Sequence, residues 1–118
     1  MTDNIYWILK AEIKNGNLDE LKRLAEECCE ITKTEPGVMV YEWSIAEGLE
    51  ILHIYERYLD SDAAMAHMAN LSEKLPKLMD LVNVTEIECY GKASSDFREA
   101  AKDFPIVYME NLCGFRKQ

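Results

Sequence analysis

The 118-residue chain is poor in the residues that staple or interrupt a fold, with four cysteines, three prolines and five glycines. Cys28, Cys29, Cys89 and Cys113 form no CxxC pair and no paired His spacing accompanies them, so neither a zinc site nor a disulfide framework is expected. Adjacent Cys28 and Cys29 would project about 100° apart on a helix, a poor start for chelation. Reduced, partly buried thiols in a cytoplasmic protein are the expectation. No apolar run approaches a bilayer span. The start, MTDNIYW, carries neither a basic n-region nor a small-residue cleavage site, so no signal peptide is expected. Cations are outnumbered 13 to 22, and the net charge is −9. With no Lys/Arg run to override it locally, that sign disfavours nucleic acid and anionic membrane as partners. A Gly-rich phosphate loop, a Ser-His-Asp set and a metal cluster are all missing from the sequence.

What remains is 48% apolar and 30% charged, the composition of one soluble domain large enough to bury a core. Ile5 to Ile13 alternates, with Ile5, Trp7, Leu9, Ala11 and Ile13 on one face, and reads as a strand. Asn15-Gly16 turns it, and Asn17 with Glu20 forms a capping-box-like start to an amphipathic helix reaching about Lys33. Pro36-Gly37 ends that helix. Val38 to Ala46 alternates again, with Met39, Tyr41, Trp43 and Ile45 on one side. Glu47-Gly48 turns into Glu50 to Leu59, where Leu52, Ile54, Glu56 and Tyr58 share a face opposite His53 and Arg57. Neither face of these two strands is purely polar, so burial on two sides is expected. Asp60 or Ser61 caps a helix to about Asn70. A second helical segment spans roughly Glu73 to Leu81, with Pro76 tolerable in its first turn. Val82 to Tyr90 closes as a fourth strand.

The order strand–helix–strand–strand–helix–strand is the split βαβ of the ferredoxin-like class, an α+β fold with an antiparallel sheet and helices on one face. The other sheet face carries Tyr6, Ile8 and further apolar residues, and predicts a homodimer. Residues 1–92 form this domain. Residues 93–118 form a C-terminal extension, with a short helix from Asp96 to about Lys102 and an apolar stretch from Ile106, and the extension is expected to pack on the domain or on the partner subunit.

The segments EIKNGNLDEL, EPGVMVYEW, IYERYLDSDAAMAHMAN and VTEIECYG, in this order, resemble the antibiotic biosynthesis monooxygenase (ABM) family of the dimeric α+β barrel superfamily. The tail ending LCGFRKQ looks like a longer subgroup. The resemblance implies an oxidoreductase that oxygenates a small aromatic or quinol without metal, flavin or haem, molecular oxygen being the co-substrate. The substrate's own electron-rich anion would reduce O₂, and the protein would supply desolvation, orientation and a base. The superfamily also holds haem-degrading enzymes, isomerases, dehydratases and proteins without known activity. The Asn/Trp/His set of the haem-degrading members falls here on Leu9, His67 and Lys77, which argues against that chemistry.

His67 is the candidate catalytic base. It shares a helix face with Ala63 and Asn70, the family resemblance implies a cleft-facing residue at this place, and free imidazole titrates near pH ~6.5. The second histidine that the family often carries a few residues later is replaced by Asn70, Leu71 and Ser72. His53 reads as a structural or interface residue. Glu56 needs a partner on its otherwise apolar face, and either makes a structural hydrogen bond or orients a substrate. Trp7, Tyr41, Trp43 and Tyr58 offer flat surfaces to an aromatic ligand, and with Glu56 and Asn70 complete the expected substrate-binding set. No metal or bound cofactor is expected. An isomerase or other small-molecule enzyme on the same fold, and a non-catalytic ligand-binding barrel, are the alternative functions.

Overall fold

The computed structural model describes residues 2–117. Nine elements follow in chain order: β1 (Ile5–Ile13), α1 (Leu18–Thr32), β2 (Val38–Ile45), β3 (Ile51–Tyr58), α2 (Ser61–Asn70), α3 (Leu75–Leu81), β4 (Val82–Gly91), α4 (Ser95–Ala100) and β5 (Ile106–Met109). The strands form one sheet in the order β2-β3-β1-β4-β5. The first strand in sequence lies at its centre, paired antiparallel with β3 and β4. This is the ferredoxin-like arrangement that the alternating segments imply.

The extension adds to it. β5 pairs parallel with β4, because α4 carries the chain across before it turns back along the sheet. The sheet is therefore mixed, with four antiparallel strands and one parallel edge strand. Ser94 caps α4 by accepting from the Phe97 N–H at 3.0 Å, and its own N–H donates to Ser61 Oγ at 3.0 Å. Ser61 opens α2, so the extension is tied to the helix that bears His67. Phe97 and Ala101 belong to the buried core.

Helices cover one face of the sheet. The alternation in β1 buries Ile5, Trp7, Leu9 and Ala11 there, against Leu21, Leu24 and Cys28 of α1. Asn17 takes the N-cap position of α1 without a side-chain cap hydrogen bond, so the expected capping box does not form. Asp60 does cap α2, accepting from the Ala63 N–H at 2.8 Å. Pro76 lies in the first turn of α3, where its missing N–H costs nothing.

One strand reading differs from expectation. A bulge between Val38 and Val40 resets the register of β2, so Met39 is exposed while Tyr41 and Trp43 pack on the core. An extra residue in one strand turns its side chain out of the alternating series. The β2–β3 turn expected at Glu47-Gly48 forms, with Leu49 in the left-handed region (φ 62°).

The opposite sheet face is open. It carries a stacked pair, Tyr6 and Tyr90, with ring centroids 5.3 Å apart. The Arg57 guanidinium lies 4.3 Å above the Tyr6 ring and donates to Asn4 Oδ1 at 3.0 Å. Lys10 bridges Glu88 at 3.1 Å. In the single chain the strands are therefore covered on one side, and the other side is aromatic and charged as well as apolar.

Gly37 sets how closely α2 approaches the start of β2. A Cβ on Gly37 would fall 2.5 Å from the Ala63 Cβ, closer than real carbons sit, so helix or strand would have to move. Gly37→Ala is expected to cost about 1–3 kcal/mol. That loss would lower the melting temperature by several degrees in a thermal scan. Removal of the chain after Gly91 is expected to cost more, since it strips Phe97 from the core and a buried Phe is worth about 3–5 kcal/mol against Ala. An unchanged melting temperature would show the extension to be dispensable.

Candidate active site

The sheet register assembles the floor of a cavity from two neighbouring rungs. In one, Tyr41, Glu56, Trp7 and Cys89 stand opposite one another across β2, β3, β1 and β4. In the next, Trp43, Ile54, Leu9, Ile87 and Ile106 cross all five strands. Every one of these side chains lines a cavity of about 220 Å³ between sheet and helices. α2 and α3 supply the roof with His67, Met68, Leu75 and Leu78, and the extension adds Phe97, Ala101 and Phe104 to the wall. An apolar cavity of ~150 Å³ holds a benzene, so this one has room for a single substituted ring.

The polar end is a chain of side chains centred on one imidazole. The Tyr58 hydroxyl donates to Glu56 Oε1 at 2.5 Å. Glu56 Oε1 lies 3.4 Å from His67 Nε2, and His67 Nδ1 lies 3.0 Å from Glu35 Oε1. Asn70 Nδ2 donates to Glu35 Oε2 at 2.8 Å. The imidazole is thus held between two carboxyl groups, one at each ring nitrogen. Tyr41 and Tyr58 flank it, with ring centroids 5.1 and 5.2 Å from the imidazole. Since the two carboxyls sit on opposite nitrogens they do not converge on one point. No group of three or more His, Cys, Asp or Glu suited to a metal ion is found among the described residues.

Of the residues that the sequence singles out, Trp7, Tyr41, Trp43, Glu56 and His67 all face the cavity. Tyr58 lies one rung further along β3, fully buried, and bonds Glu56 instead of facing the cavity. Asn70 is exposed, and holds Glu35. His53 is exposed on the open sheet face. Glu35 is not singled out by the sequence, because it sits in the α1–β2 connection, where no periodicity marks a side chain's direction. The cavity-lining aromatics of the extension, Phe97 and Phe104, also escape strand and helix patterning.

A sequence profile of the antibiotic biosynthesis monooxygenase family matches residues 5–72, the stretch that supplies Trp7, Glu35, Tyr41, Trp43, Glu56 and His67. The chain belongs to the antibiotic biosynthesis monooxygenase family. Among solved structures, MupZ from Pseudomonas fluorescens superposes with a TM-score of 0.89 at 22% identity, over 99% of this chain and 91% of that one. A conserved protein from Methanosarcina mazei Go1 gives 0.69 at 23% identity, over 75% and 92%. SnoaB from Streptomyces nogalater, described as a cofactor-independent oxygenase and solved as its N63A mutant, gives 0.66 at 12% identity, over 75% and 91%. No curated protein matches the chain significantly. At these identities the likeness is one of fold.

Burial decides the protonation states in this ABM-family site. It pushes the Glu56 carboxyl above the usual glutamate range, against the pull of His67 and the Tyr58 hydroxyl. Burial likewise raises Tyr58 and Tyr41, each pushed further by the Glu56 charge, so both stay neutral phenols. The Cys28 and Cys89 thiols are pushed up to about 11, again by burial, and stay protonated in the cavity wall. Lys74 stands at the rim, paired with Glu27 at 2.9 Å.

A raised Glu56 has a definite effect on stability. The folded state keeps this proton to higher pH than the unfolded chain, which releases it near ~4.3. Stability from this group is thus present below that pH and falls as pH rises through the folded-state value. Glu56→Gln keeps an acceptor for Tyr58 and removes the charge. Melting curves of the variant and the wild type from pH 5 to pH 8 should show the variant gaining on the wild type as pH rises. A variant that loses ground toward pH 8 would mean that Glu56 is held as a stabilised anion.

Proposed function

We propose that the protein is a cofactor-independent monooxygenase acting on a small aromatic or quinol, with His67 as the proton acceptor. The observation that carries this reading is the imidazole held between two carboxyls at the polar end of an otherwise apolar, one-ring cavity, in a chain of the antibiotic biosynthesis monooxygenase family. Glu56 and Nε2 are 3.4 Å apart, at the long limit of a hydrogen bond, so Nε2 is weakly engaged and a ligand hydroxyl approaching it from the cavity can give it a proton. The ring would lie against Trp7, Tyr41 and Trp43. Expelling water there leaves the substrate anion poorly solvated and strongly reducing toward O₂. SnoaB, which shares the fold, is described as an oxygenase that needs no cofactor, and the same independence is proposed here.

A panel of simple quinols in an oxygen electrode tests the reading. Wild type should consume O₂ above background. His67→Ala should lose about 10²–10⁴ of kcat/KM, the usual worth of a positioned base. A wild type that consumes none defeats the oxygenase assignment.

The second reading is an isomerase or other redox-neutral enzyme on the same fold. It draws on Glu56, whose raised affinity for a proton places an acid beside a base at one end of the cavity. Product formation from the same panel under strict exclusion of O₂ would select it.

We further propose a homodimer formed through the open sheet face, where Val107 and Met109 of β5 lie exposed beside the Tyr6–Tyr90 stack, in a cytoplasmic setting that suits four free thiols. Light scattering at micromolar concentration should return twice the chain mass, and a monomeric mass would refute the assembly.

A further inference from the structure

One imidazole stands between the cavity and a carboxyl group outside it. His67 presents Nε2 toward Glu56, which lines the cavity, and Nδ1 toward Glu35, which does not line it. The Glu35 side chain keeps 12% of its surface exposed and is held by the exposed Asn70. Glu35 thus stands on the solvent side of the ring, and the substrate would stand on the other.

We propose that His67 and Glu35 form a proton relay between the cavity and water, with Glu35 as the residue that delivers protons to solvent and takes them back. The inference rests on the function proposed for this site, in which the reaction starts by taking a proton from the substrate. The substrate O–H bond breaks and its proton goes to Nε2. The Nδ1–H bond breaks and that proton goes to the Glu35 carboxylate, which passes it to water. No electrons move in these steps. The later stage of the reaction needs a proton on reduced oxygen, and the reverse transfer supplies it and resets the imidazole tautomer. Over one turnover the relay is neutral.

The surroundings fit a relay in place of a plain anchor. The charged or titratable groups that meet the imidazole are Glu35 from the α1–β2 connection, Glu56 and Tyr58 from β3, and Tyr41 from β2. Both tyrosines are held as neutral phenols by burial and cannot carry a proton away. Glu56 faces inward. Glu35 is the carboxyl group of this set that meets both the ring and the solvent.

Three variants separate a relay from simple orientation of the ring. Glu35→Gln can still accept the Nδ1–H bond but cannot take the proton. Its kcat should fall on the order of tenfold, with KM within about twofold and a larger solvent isotope effect. Glu35→Ala should lose as much and recover part of it in millimolar acetate, which can stand where the carboxylate was. Glu35→Asp should retain more activity than either. A Glu35→Gln enzyme with wild-type kcat and isotope effect overturns the relay and leaves Glu35 as an orienting residue. Nitrogen-15 NMR of the His67 ring gives a readout independent of turnover, since exchange of the Nδ1 proton with water should slow in Glu35→Gln. Equal exchange rates overturn the relay even if no quinol is oxidised, whereas slowed exchange in a protein that consumes no O₂ upholds the relay and rejects the oxygenase.

Discussion

A carboxyl placed on the buried face of a sheet constrains everything around it. Taking an ion out of water costs several kcal/mol even after relaxation, so Glu56 needs either a proton or partners. It has both within reach: the Tyr58 hydroxyl on its own strand, two residues on, and the His67 imidazole from the roof. Tyr58 can reach it because residues i and i+2 share a face of a strand. His67 can reach it only because α2 is short, alanine-rich and drawn in against Gly37, so that its last turn lies over the Glu56 rung. Glu35 then follows, at the end of the connection that Gly37 fixes. The polar chain is a result of satisfying one buried group.

Around that chain the walls are built by the sheet's own alternation. Tyr41 and Trp43 are two residues apart on β2, Trp7 and Leu9 on β1, Ile87 and Cys89 on β4, and all face the helices. Large side chains on adjacent rungs, met by a roof of helix ends and by Phe97 and Phe104, hold the layers apart without filling the gap. The extension therefore shapes the site as well as the core, although it lies outside the residues that the family profile matches.

The fold was legible because its signals are local. Alternation in residues 5–13 and 38–46, helical spacing in residues 18–33, and turn residues between them point to the same arrangement. The shared faces of Trp7 and Glu56 with their apolar strand neighbours were legible for the same reason, since period assigns a face, whereas the cleft-facing direction of His67 was implied by the family resemblance. The role of Glu35 was not legible, because a residue in a connection has no period to place it, and only the tertiary contact between α2 and β2 brings it to the imidazole. The displacement of Met39 was hidden too: a bulge adds one residue to a strand without a sequence mark as plain as Gly or Pro. The tail showed too many apolar residues for a frayed end, but a four-residue parallel strand is too short for pattern to separate from a buried loop.

That fifth strand also decides how the sheet ends. An unpaired strand edge is a template on which another chain can build. Here β5 covers the β4 edge at Ile87–Tyr90, and is itself only four residues long and preceded by Pro105, so the rim on that side is short and stepped. On the far side, the β2 rim is broken by the bulge at Met39 and charged at Glu42. Both rims are poor seeds for ribbon-like growth. Growth by strand addition at either rim is thereby disfavoured, and the two-fold pairing proposed for the broad face would close on itself and stop at a finite assembly.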